Sequence, residues 1–130
     1  MDDFSWLVGI IEGEGCISIS RHNKTEKSDP VFEVAMTDED VIQKVAHLLN
    51  HEYRSYVPPG RTVDGQPYKT AHKVKFQGRK AMAIIDIIYP HMSSRRQKRI
   101  DEVREAYSPK LSCKTEGYTP RPKKPVVFNF

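Results

Sequence analysis

Two short segments in which apolar and polar residues alternate, Cys16–Arg21 and Val31–Met36, constrain this chain more than anything else in it. In the first, Ile17 and Ile19 fall on one side and Ser18 and Ser20 on the other. In the second, Phe32, Val34 and Met36 share a side. A period of two marks a strand with one face buried. The polar stretch His22–Pro30 between them reads as their connection. A second pair follows, Tyr53–Val57 and Tyr68–Phe76, with Pro58-Pro59-Gly60 and Asp64-Gly65 marking a long turn between its members. Val74 and Phe76 take one face of the last strand; Lys69, Ala71, Lys73 and Lys75 take the other.

Helical patterns separate the strand pairs. Asp3 can cap a helix over Phe4–Gly13. Thr37 can cap a second, with Asp40 in the capping-box position, running to about Asn50 with Val41, Val45, Leu48 and Leu49 inward. Arg79–Tyr89 is a strongly apolar helix stopped by Pro90. Ser93 or Ser94 caps a last helix that reaches about Tyr107 through Ile100 and Val103. The order α-β-β-α-β-β-α-α predicts an α+β fold: one four-stranded antiparallel sheet with the helices on one face. The other face would carry Ser18, Ser20, Glu33, Lys69, Lys73 and Lys75, polar and partly basic. The organised unit spans residues 1–107. Residues 108–130 hold four of the nine prolines and five basic residues, and read as an irregular basic tail. Within that tail Val126, Val127, Phe128 and Phe130 form a run apolar enough to dock on the body.

The apolar run Leu7–Ile11 is far short of the ~20 residues a membrane span needs. The opening Asp2-Asp3 is unlike the basic start of a signal peptide. Cys16 and Cys113 share no metal or redox spacing, so neither a disulfide scaffold nor a cysteine zinc site is expected. The expected setting is a soluble protein of a reducing, intracellular compartment. Charge is divided unevenly: residues 1–52 sum to −7 and residues 53–99 to +9 within a total of +4. A basic block of that size inside a folded region points to an anionic partner, nucleic acid first among them. The i, i+4 pair His47/His51 has no third ligand in sight and suggests no metal site.

The segment Leu7-Val8-Gly9-Ile10-Ile11-Glu12-Gly13-Glu14-Gly15 stands apart. Gly9 and Gly13, four apart, bare one helix face at ~1 kcal/mol per glycine, a cost that close approach to another helix would offset. Glu14 would project from the helix tip, either as a solvated surface acid or as the holder of a cation. With Trp6 before it and Gly15-Cys16-Ile17-Ser18-Ile19 running into a strand, the segment resembles the LAGLIDADG homing endonuclease family, whose core order agrees over residues 4–107.

The resemblance implies a saddle-shaped sheet lying along double-stranded DNA and motif helices packed at a twofold axis through Gly9 and Gly13, with Trp6 at that interface. It implies a metal, Mg2+ or Mn2+, held by Glu14 with Gly13 beside it. It further implies a basic residue beyond the linker of the third helix, where Arg95 and Arg96 stand; the same arginines read equally as phosphate anchors or a solvated helix start. Phosphodiester hydrolysis with magnesium commonly uses one or two carboxylates plus the substrate's phosphates. One chain offers one such acid, so cutting both strands calls for a homodimer. DNA contacts are expected from Ser18, Ser20, His22 and Lys24 on the first hairpin and from Arg54, Arg61, Lys69, Lys73 and Lys75 on the second. The reading is thus a homing-type endonuclease, carried by a mobile element and free of any membrane. The alternative is a sequence-specific DNA-binding protein on the same scaffold that does not cut. Met36 favours it, standing where the family tends to place a polar, water-positioning group, a role that could otherwise pass to Thr37 or Asp38.

Overall fold

The computed structural model describes residues 2–21, 28–107 and 125–130. Its elements run α1 (Asp3–Glu14), β1 (Gly15–Arg21), β2 (Ser28–Met36), α2 (Glu39–Leu48), β3 (Arg54–Tyr56), β4 (Ala71–Gln77), α3 (Arg79–Ile88), a 3-10 turn (Tyr89–His91) and α4 (Ser94–Ala106). The strands form one antiparallel sheet in the order β1-β2-β4-β3. The expected α+β fold and element order are observed.

The register explains why the sheet has two unlike faces. Ile17, Phe32 and Phe76 lie in one row across three strands, with Gly15, Val34 and Val74 in another. These rows face the helices. There Phe32 and Phe76 stack with ring centroids 5.1 Å apart, over a core closed by Leu7, Ile11, Ile42, Val45, Ile84, Ile85, Ile88 and Ile100. Each fully buried aliphatic or aromatic side chain of this kind contributes roughly 1.5–3 kcal/mol. The alternate rows face outward: Cys16 beside Glu33 beside Lys75, and Ala35 beside Lys73 beside Arg54.

Several boundaries differ from the sequence expectation. Asp2, not Asp3, caps α1, its Oδ1 accepting from the Ser5 amide at 2.7 Å; Asp3 then sits in the first turn, where the helix dipole favours an acid. α1 runs through Glu14, so Glu14 ends the helix instead of lying beyond it. β2 starts at Ser28, because Arg21, Ser20 and Ile19 of β1 pair with Ser28, Asp29 and Pro30. Asp38, not Thr37, is the cap position of α2, and Ile42 rather than Val41 becomes the fully buried residue of its first turn. β3 and β4 are shorter than expected. Tyr56 faces Ala71, and beyond it Pro58 and Pro59 have no N–H to give, so pairing stops and Lys69 falls in the turn.

Residues 108–124, with Lys110, Lys114, Arg121, Lys123 and Lys124, lie outside the described residues, as do His22 and Lys24. The C-terminal stretch 125–130 docks on the body. The Asn129 amide N–H donates to the Leu48 carbonyl at 2.8 Å and its Nδ2 to the His47 carbonyl at 2.6 Å, serving acceptors at the open end of α2. Phe128 packs on the core, and the Phe130 ring lies 5.2 Å from that of Phe4. Asn129→Ala should therefore lower stability by about 1 kcal/mol, the usual value of a net hydrogen bond. Urea denaturation would measure it, and a change below about 0.3 kcal/mol would mean that the stretch does not dock.

Candidate nucleic-acid interface and acidic site

α1 passes into β1 without a loop, and one arginine from the far end of the chain makes that possible. Arg96, in the first turn of α4, donates from Nε to the Glu12 carbonyl at 2.9 Å and from Nη1 to the Gly15 carbonyl at 2.7 Å. Its Nε also lies 3.7 Å from Glu12 Oε2, and its side chain is 14% exposed. The Ser93 amide donates to the same Glu12 oxygen at 3.3 Å. Hydrogen bonding from Ser93 holds the Glu12 carboxyl below its ordinary range, against a smaller opposing effect of burial and with help from Arg96 and Arg95. Glu12 is thus a structural acid, tying α1 to the N-terminus of α4.

Glu14 is the contrast. It is exposed and, among the described residues, engaged in no hydrogen bond or ion pair. Its backbone sits between the two carbonyls that Arg96 holds. Gly15 follows because nothing else fits: a Cβ there would lie 2.6 Å from the Ile11 carbonyl oxygen, which accepts from the Gly15 amide. Gly9 and Gly13 are exposed, and a Cβ on either would meet nothing within 4 Å, so the bare stripe of α1 faces away from its own chain. Trp6 is half-buried against the core with Lys44 Nζ 4.3 Å from its ring centre. Among the described residues no group of three or more His, Cys, Asp or Glu could hold a metal ion. The oxygen donors at the α1 tip are the exposed Glu14 carboxylate and the last-turn carbonyl of Gly13.

The outer sheet face gathers Ser18, Ser20, Arg54, Lys73 and Lys75, as the register demands. Lys73 is partly engaged, 4.0 Å from Glu33 and 4.8 Å from the Tyr56 ring centre. Arg61 is held by its own turn, donating to the Gly65 carbonyl at 2.9 Å. Lys69 is exposed in the same turn region. Arg95 is exposed and lines a cleft of about 450 Å³ with Gly15, Cys16, Lys98 and Arg99. Arg99 Nε donates to the Ile17 carbonyl at 3.2 Å, so Arg96 and Arg99, three apart on α4, bond carbonyls two apart on β1. Edge strands need such cover. A run of basic residues is the one trace of it in the sequence. Met36 ends β2 with its side chain against the core, opposite His72, while Thr37 and Asp38 are exposed. Asp38 makes no side-chain cap.

No protein-family profile matches the chain, and no curated protein matches it. Solved structures do. The LAGLIDADG homing endonuclease I-LtrWI, bound to target DNA, aligns with 81% of this chain at a TM-score of 0.52 and 21% identity. The LAGLIDADG homing endonuclease I-GzeII, in complex with its DNA target, aligns with 81% at a TM-score of 0.52 and 12% identity. The chain therefore has the LAGLIDADG homing endonuclease fold. It spans about a third of each of those chains, 35% and 34%. Among the described residues no helix is long and apolar enough to cross a membrane.

Arg96→Lys keeps the charge but cannot fork across two carbonyls. It should cost about 2 kcal/mol, within the range for hydrogen bonds from a charged donor. Thermal or urea unfolding would measure the loss; wild-type stability in this variant would mean that the α1–β1 junction holds without the fork.

Proposed function

We propose that the chain binds double-stranded DNA along its outer sheet face and cleaves it at a specific site, as a homodimer that uses Mg2+ or Mn2+. One observation carries this reading. An acid with no partner among the described residues ends the helix that also bears an open glycine stripe, and that helix feeds directly into the sheet's outermost strand. Two DNA complexes on the same fold support the choice of partner.

In this reading the Glu14 carboxylate and the Gly13 carbonyl of each copy would hold the metal. A bound metal of this kind polarises the phosphate and lowers the pKa of water at the scissile bond. The chain's own residues do the rest. Lys75, Lys73, Lys69 and Arg54 neutralise backbone phosphates, and Ser18 and Ser20 face base edges. Arg95 is exposed in the cleft beside Gly15, where a cation stabilises charge developing on the phosphate. Arg96 acts through the backbone, fixing where Glu14 points. Gly9 and Gly13 let the α1 helices of two copies approach, which brings two Glu14 side chains to one dyad. The cytoplasm of a bacterial or phage-infected cell, with the gene in a mobile element, is the setting this function implies.

The second reading, a specific DNA binder that does not cut, has Met36 in its favour. Its side chain packs on the core and cannot orient water. Glu14→Gln separates the two. It should abolish cleavage of DNA flanking the native locus while leaving affinity equal or higher, because an acid near phosphates repels them. A Glu14→Gln protein that cuts at the wild-type rate would place the chemistry elsewhere, and a wild type that binds but never nicks in Mg2+ or Mn2+ would establish the second reading.

Gly13→Leu tests the dimer. Added volume on the open stripe should weaken self-association by about 3 kcal/mol, the upper range for overpacking, or more than a hundredfold. Light scattering would report it. A wild type that is monomeric both free and on DNA would remove the two-strand mechanism.

A further inference from the structure

Beside β4, three of the outer-face cations, Arg54, Lys73 and Lys75, also border a cleft that the sequence pattern does not reveal. β3 pairs with only Ala71–Lys73, so Val74–Gln77 of β4 have no strand on that side. The gap is a cleft of about 680 Å³, lined by the α2–β3 connector (Asn50, His51, Glu52), by Arg54, and by Lys73, Lys75, Phe76 and Gln77. Lys75 and Arg54 are exposed and unpaired among the described residues. Against these cations stands Glu52, with Glu33 shared by Lys73.

The connector is held in place. Asn50 adopts a left-handed conformation, φ 51°, turning the chain out of α2, and its carbonyl accepts from Lys80 Nζ at 2.7 Å. Lys80 Nζ also lies 3.1 Å from His51 Nδ1. An ammonium only donates, so Nδ1 accepts and the ring is neutral. The His51 ring centre sits 4.9 Å from that of Phe76.

We propose that this cleft seats a phosphodiester group of bound DNA, with Arg54, Lys73 and Lys75 as its cations and the His51 ring as its wall. The inference rests on the DNA-binding reading and extends it to a place at the sheet's margin. It has a consequence for pH. Burial, and then Lys80, pushes the His51 pKa below 6.5; Arg54 adds to this, while the Lys75 backbone and Glu52 pull the other way. A phosphate beside the ring favours the imidazolium, so filling the cleft raises the His51 midpoint. Binding then takes up a proton at pH values between the free and filled midpoints, and affinity rises as pH falls through that window.

The His51 ring resonances, assigned by comparison with His51→Gln, would be titrated by NMR in three solutions. These are sodium chloride alone, inorganic pyrophosphate at matched ionic strength, and a saturating 24-base-pair duplex of arbitrary sequence. Anisotropy would follow duplex affinity over the same pH range for both proteins. The expected result is a midpoint raised by about 1 unit by pyrophosphate and by duplex, equal to a tenfold change in proton affinity. Duplex affinity should strengthen by up to the same factor toward low pH in the wild type, and that slope should be missing in His51→Gln. A duplex that binds while the His51 midpoint stays still would overturn the cleft and leave the DNA reading standing. A midpoint moved by pyrophosphate but not by bound duplex would overturn the assignment to DNA. If no duplex binds at any pH, the DNA reading falls and so does this assignment, and the pyrophosphate titration then decides whether the cleft takes anions at all. The wild-type titration carries the test even if His51→Gln does not fold.

Discussion

A helix that becomes a strand with no loop between them leaves its last carbonyls without partners, and the geometry of this protein depends on how they are served. The α1–β1 junction needs a glycine at position 15, because the Ile11 carbonyl lies where a Cβ would be. It also needs an outside donor, because the chain has no turn of its own in which to provide one. Arg96 is that donor, reaching back from α4 to the carbonyls on either side of Glu14. Glu12 and Ser93 close the arrangement from the other direction. Three segments distant in sequence are joined there: the end of α1, the start of the sheet and the start of α4. The direction in which Glu14 projects is a consequence of that joint.

The same joint divides the basic residues into two populations. Counted along the chain, residues 53–99 sum to +9 and read as one block aimed at an anion. In the fold, Arg96 and Arg99 turn onto β1 carbonyls and seal the sheet edge, while Arg61 closes its own turn. Lys80 is drawn onto the Asn50 carbonyl and the Phe76 ring. Arg54, Lys69, Lys75, Arg95 and Lys98 remain exposed and make no hydrogen bond or ion pair among the described residues. Net charge describes the field a distant polyanion feels, whereas contact at hydrogen-bonding distance needs cations that the chain does not already hold.

How much of this was legible in the sequence follows from the range of each interaction. The strands and their faces were readable, because alternation is local: Ile17, Phe32, Val34, Val74 and Phe76 all face the core as the period of two requires. Strand ends were less so, because an end is set by the partner. β4 starts at Ala71 because Tyr56 is the last residue β3 can offer before two prolines. The acid at the α1 tip was readable from glycine spacing. The roles of Arg96 and Arg99 were not, since each bonds a backbone carbonyl some 80 positions away and carbonyls carry no sequence signal. The cleft beside β4 was hidden for a similar reason. It exists because β3 is short and Asn50 turns the chain, and it joins residues from three separate stretches.

The three glycines of α1 and its exit bear on the proposal that two copies of the chain work together. Glycine in a helix costs roughly 1 kcal/mol relative to alanine. At the exit, Gly15 is repaid within the chain, where a larger residue would strike the Ile11 carbonyl. Gly9 and Gly13 are not repaid there, since open space surrounds the place where each Cβ would stand. Alanine at both would strengthen the isolated chain, yet the sequence keeps the stripe bare, on the helix whose last residue, Glu14, has no partner among the described residues. In the proposed dimer that cost is offset from outside the chain. A second copy pressed against the stripe would offset it by close helix packing, and the same contact would set one Glu14 beside another.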